Sequence, residues 1–131
     1  YYVREIPGNG IYDAAPEIQV LDNQDAIDNK ISTHLAGSLY DMLPADSETI
    51  NPAGQWNTCL IKANEGNVQV SMNGTQVLSY SHWTAEWDAL VQNSKFKDFK
   101  GFKDGISREG YIGLQDHGYP VWFKNIKIRE L

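Results

Sequence analysis

Two short stretches toward opposite ends of the chain carry side chains suited to moving protons and holding hydroxyl groups. In Glu17-Ile18-Gln19-Val20-Leu21-Asp22, strand alternation sends Glu17 and Gln19 to one face and Ile18 and Val20 to the other. In Gly110-Tyr111-Ile112-Gly113-Leu114-Gln115-Asp116-His117-Gly118, it sends Tyr111, Gln115 and His117 to one face and Ile112 and Leu114 to the other. A carboxylate and an imidazole can each take or give a proton, and carboxamides can bind hydroxyls or a developing oxyanion. Asp22 and Asp116 have the opposite parity and stand at strand ends, where capping a turn is the leading reading. The Gly118-Tyr119-Pro120 turn places His117 where a sheet protein usually presents its site.

Other residues are weaker candidates. Trp83 offers an aromatic face on which a ligand could stack, whereas Trp87, on a helical stretch, reads as core. Tyr40 reads first as a packing residue and is retained as a possible substrate contact. Asn57, after Trp56, reads as turn support. Cys59 has no activating base nearby in the sequence and reads as inert. His34, His82 and His117 are scattered, with no His-x-His or His-Glu-x-x-His spacing. No cofactor is indicated, and a divalent cation held by carboxylates has no support from spacing.

The elements that must position these residues belong to a single domain of 131 residues. A net charge of −6 and a pI near 4.9 argue against a nucleic-acid groove. No run is long and apolar enough for a membrane span, and one cysteine excludes an internal disulfide. Tyr1 to Ile6 opens the chain as if in mid-strand, so an upstream segment carrying any export signal is expected.

The pattern then predicts a turn at Pro7 to Gly10, a strand at Glu17 to Asp22, and a loop with one short helical turn from Asn23 to Leu35. An extended run follows at Ala36 to Met42, a loop at Pro44 to Gly54, and a strand at Trp56 to Ala63. Asn67 to Met72, Asn73-Gly74 and Thr75 to Tyr80 form the strongest hairpin signal, with Val70 expected opposite Val77. Asn73-Gly74-Thr75 is also a glycosylation sequon, but the turn explains it better. Thr84 is expected to cap a short helical insertion over residues 84–93, and Phe96, Phe99 and Phe102 to pack the following loop down. A last strand, Val121 to Ile128, changes phase and predicts a bulge near Lys124-Asn125. Many short strands point to an all-β sandwich of jelly-roll type.

In order along the chain, Glu17-Ile18-Gln19-Val20-Leu21-Asp22, Ala36-Gly37-Ser38-Leu39-Tyr40-Asp41, Pro52-Ala53-Gly54-Gln55-Trp56-Asn57, Met72-Asn73-Gly74 and Gly113-Leu114-Gln115-Asp116-His117-Gly118 resemble the 3-keto-disaccharide hydrolase domain family. So does the ending Val121-Trp122-Phe123-Lys124-Asn125-Ile126-Lys127-Ile128. The resemblance implies a concanavalin-like jelly roll of two antiparallel sheets with a carbohydrate cleft on the concave face. It also implies export in a bacterium, to the periplasm or cell surface, and cleavage of glycosides already oxidised at C3. It further implies a preceding segment with early strands of the sandwich.

A C3 ketone acidifies the C2 proton, so a base can remove it and expel the C1 substituent before water adds back. On that chemistry His117 or Glu17 is the base, while Gln19 and Gln115, with Trp83 and Tyr40, bind substrate. Two other readings stand beside it: a non-catalytic carbohydrate-binding module, and a conventional glucanase. The latter needs a second carboxylate at a fixed distance from Glu17.

Overall fold

A computed structural model describes residues 10–46 and 49–131. Its regular sheet is a three-stranded antiparallel meander in the order β1 (Cys59–Asn64), β2 (Asn67–Met72) and β3 (Thr75–Ser81). Both connections are two-residue turns with positive φ at each central residue, Glu65 (48°) and Gly66 (87°), then Asn73 (51°) and Gly74 (88°). That backbone matches the twist of the flanking strands. Asn-Gly announces the second turn; a glutamate in the first hides it from sequence.

Val68, Val70 and Met72 alternate inward along β2 and are buried. The expected opposition of Val70 and Val77 is replaced by Val70 with Leu78, because a register irregularity follows Val70. Both Val77 and Leu78 thereby reach the core. β1 is an edge strand, exposed along most of its length.

The helical insertion forms as expected: α1 (Ala85–Gln92) starts where Thr84 Oγ1 accepts the Trp87 N–H at 3.1 Å. Trp87 and Val91 enter the core. Phe96 and Phe102 stack at 4.5 Å and bury between α1 and α2 (Lys100–Lys103). α2 lies so close to the 3₁₀ turn Ile11–Asp13 that a Cβ on Gly101 would stand 2.4 Å from Ala14 Cα.

The chemistry-bearing stretches differ from the sequence pattern. Glu17 to Asp22 is no strand; only Ile18 bridges, to Leu39, which also bridges Leu43. Pairing runs from Tyr40 N–H on Glu17 O (2.9 Å) to Gly37 N–H on Gln19 O (2.9 Å). It then stops, because Asn23 Oδ1 takes the Ala36 N–H in place of backbone. Val20 is consequently 61% exposed rather than paired inward with Ile18.

Gly110 to Gly118 and Val121 to Ile128 form no strand either, so Ile112 (60% exposed) and Leu114 (53%) do not face a core. A ladder needs a partner edge, and these runs find none among the described residues beyond a single bridge at Tyr111. Asn125, at the expected bulge, takes φ 54°, but with no ladder there is no bulge to assign. The second sheet of a sandwich is likewise not formed among the described residues. The expected strand at Tyr1 to Ile6 lies outside them.

Candidate functional site

Pro16 delivers Glu17 to the short pairing with Tyr40, which fixes its backbone and leaves its side chain half-buried. Burial raises the Glu17 carboxyl above its ordinary range. The charges of Lys95, His117 and His34 oppose that shift, and Asp28 adds to it. Glu17 and His117, distant in sequence, are therefore close enough to feel each other's charge. His117 is exposed, and Gln115 beside it is half-buried on the wall of a recess of about 390 Å³. Leu114, Asp116, Tyr119, Val121 and Phe123 also line that recess.

Beneath Glu17 lies a network that the sequence pattern did not single out. His34, 7% exposed, has Nδ1 2.7 Å from Asp28 Oδ1 and Nε2 3.0 Å from Asp41 Oδ1. Tyr40 donates its hydroxyl to Asp28 Oδ2 at 2.9 Å, and its ring lies 4.4 Å from the imidazole. Asp41 Oδ2 accepts the Lys95 N–H at 2.8 Å, and the Lys95 ammonium stands 4.1 Å over the Tyr40 ring.

Burial alone would lower the His34 pKa, but hydrogen bonds and charge from Asp28 and Asp41 outweigh it and hold the value up. Asp28 shows the converse: burial would raise its carboxyl, and the bonds from His34 and Tyr40 bring it below the usual range. Burial and the Asp28 bond together push the Tyr40 phenol up. Asp28 and Asp41 lie six and seven residues from His34. That local Asp…His…Asp spacing is the signal sequence reading passed over when it searched the histidines for metal motifs.

The remaining candidates do other work. Gln19 is buried with Oε1 accepting its neighbour Val20 N–H at 3.1 Å. Trp83 has φ 57° and donates Nε1–H to Ile106 O at 3.2 Å. Arg108 lies over its ring at 4.0 Å, and Gly66 packs so close that a Cβ would come within 2.9 Å of the ring. Asp116 Oδ1 accepts the Gly118 N–H at 2.7 Å and Asp22 Oδ1 accepts the Gln24 N–H at 3.0 Å, both as turn caps. Asn57 ties Asn51 to Asn73, and Asn73 spends its amide on Thr49 O and Asn57, so the sequon serves the turn. Among the described residues no group of three or more His, Cys, Asp or Glu side chains is arranged to hold a metal ion.

The arrangement thus offers a half-buried carboxylate near one imidazole and one ammonium, above a fixed polar network. Such a group can abstract a proton, and the nearby cations can steady the negative charge that results.

A 3-keto-disaccharide hydrolase from Bacteroides thetaiotaomicron is 42% identical to this chain over 132 residues, which covers 92% of this chain and 46% of that protein. A crystal structure at 1.70 Å resolution of a candidate glycosyl hydrolase from Parabacteroides distasonis superposes with a TM-score of 0.71 at 23% identity. It covers 82% of this chain and 52% of that one. A second such structure from the same organism gives 0.54 at 23% identity, over 61% and 41%. The chain spans about half the length of these relatives. The sequence profile of the 3-keto-alpha-glucoside-1,2-lyase-like domain matches residues 1–129, and the chain belongs to that family.

Proposed function

We propose that this protein cleaves the glycosidic bond of 3-keto glycosides, with Glu17 as the base that removes the C2 proton. The observation that carries the reading is the Glu17 carboxyl, raised by burial and set within the fields of Lys95 and His117. A raised carboxyl is a stronger base than a free one, and positive charge beside it favours an enolate over a neutral ketone. In the step itself the C2–H bond breaks toward Glu17 and its electrons form the enolate. The C1–O bond then breaks, the aglycone oxygen takes a proton, and water adds across the new C1=C2 bond. In this reading the exposed His117 protonates the leaving oxygen, and Gln115 holds a hydroxyl.

A glucanase mechanism needs a second free carboxylate, yet Asp28, the carboxylate near Glu17, is occupied by His34 and Tyr40. The two-sheet jelly-roll sandwich is part of the same proposal and is supported by family membership and the 0.71 superposition, and export in a bacterium is proposed with it. The test is release of aglycone from a 3-keto glucoside and from its unoxidised parent. Turnover of the keto sugar alone is expected, and Glu17→Gln should lower kcat by about 10²–10⁴ without altering the fold. Binding without turnover would favour a carbohydrate-binding module, and cleavage of the unoxidised sugar a glucanase.

A further inference from the structure

His34 is buried with a side-chain oxygen of Asp28 against one ring nitrogen and of Asp41 against the other, at 2.7 and 3.0 Å. A carboxylate can only accept a hydrogen bond, so both contacts require an N–H, and only the imidazolium carries two. We propose that His34 is a positioning residue: as an imidazolium held between Asp28 and Asp41, it fixes the Tyr40–Asp41 corner that carries Glu17 on one side and Lys95 on the other.

The path is short and continuous. Asp28, fixed by Nδ1, holds the Tyr40 hydroxyl, and the Tyr40 N–H holds Glu17 O. Asp41, fixed by Nε2, holds the Lys95 N–H. Asp41 itself takes φ 59°, a left-handed backbone state that aspartate tolerates better than most non-glycine residues. Removal of one imidazole proton would set a bare nitrogen lone pair against a carboxylate and release one of the two arms. The charged and titratable groups around His34 are Asp28, Asp41, Tyr40, Glu17 and Lys95. Burial and the Asp28 bond keep Tyr40 neutral through the physiological range, which leaves His34 as the group whose proton the network stands on.

This inference rests on Glu17 as the base, and two measurements that need no turnover separate its failure from failure of that reading. Nitrogen-15 shifts of the His34 ring at neutral pH are expected to show both nitrogens protonated; a neutral ring would overturn the clamp. In His34→Gln the Glu17 carboxyl should titrate at higher pH, because a nearby positive charge is lost and two carboxylates are left uncompensated; an unmoved titration would overturn it.

On a 3-keto glucoside, kcat of His34→Gln should fall roughly tenfold to a hundredfold while KM holds within about twofold, the pattern of a misplaced base rather than a lost contact. Wild-type kcat should decline at alkaline pH as His34 loses its proton. Asp41→Asn, which keeps the Asp28 arm, should move that limb to lower pH, and it serves as the test should His34→Gln not fold. An unchanged limb in Asp41→Asn would overturn the proposal. If the wild-type protein turns over no 3-keto glucoside, the functional reading falls, and the ring shifts and the Glu17 titration decide the clamp by themselves.

Discussion

His34 and His82 are both buried, and their partners set opposite responses to pH. His82 packs edge-on to Trp87 at 4.6 Å, its Nε2 has no hydrogen-bond partner among the described residues, and burial lowers its pKa to about 4. The unfolded chain binds that proton more readily, so stability is lost as pH falls from about 6.5 toward the folded value. His34 runs the other way: its raised pKa gives stabilisation that is full below about 6.5 and lost as pH rises through the folded value. Asp28, held low, contributes above its ordinary pKa and loses that contribution only in stronger acid. Thermal unfolding across pH checks both signs. His34→Gln should lower Tm most below about pH 6.5 and progressively less as the pH rises through the folded value. His82→Gln should flatten the acid limb between about pH 6.5 and 4, and an unchanged limb would assign the acid loss to other groups.

At the scale of elements, legibility followed how local the determinant is. The Asn73-Gly74 turn, the Thr84 cap and the Phe96–Phe102 stack each depend on residues a few positions apart, and sequence found all three. The inward pairing of Val77 with Val70 did not survive, because a register shift is decided by packing across strands rather than along one. Glu17 and His117 were chosen by type, and the strand alternation expected to aim them does not form. Glu17 is placed by three backbone bonds between residues 17–19 and 37–40, and His117 lies in no ladder. The Asp28–His34–Asp41 part of the network left a local spacing in the sequence, but Lys95 left none, because it joins from 54 residues away through a backbone N–H that no side-chain pattern reports.

Gly101 tests the docking of α2 directly. An added methyl would meet Ala14 Cα and Asp13 O at 2.4 Å, backbone atoms with no rotamer to yield. Gly101→Ala is expected to cost about 3 kcal/mol in urea unfolding despite its better helix propensity. A neutral or stabilising outcome would mean that α2 stands off from the Ile11–Asp13 turn.

For the molecule as a whole, the distribution of apolar surface matters more than its amount. The core gathers between β2, β3 and the helical insertion, while β1 keeps Leu60 at 61% and Ile61 at 42% exposure. The C-terminal run adds Trp122 (73%), Ile126 (64%) and Ile128 (77%). Among the described residues β1 has only β2 beside it, so its outer edge is open and carries the exposed Leu60 and Ile61. An edge of this kind pairs readily with another extended segment, and a net charge of −6 is modest opposition. No helix among the described residues is long and apolar enough to cross a membrane, so the exposed strip is not a helical span. This chain, studied by itself, is therefore expected to self-associate as its concentration rises, most strongly at high salt, where like-charge repulsion is screened. Light scattering after size exclusion measures this. Leu60→Lys combined with Ile126→Lys should keep the chain monomeric at concentrations where the parent associates. Both positions are exposed, so the double variant should unfold within about 0.5 kcal/mol of the parent. Persistent association of a folded double variant would place the contact elsewhere than on the β1 edge.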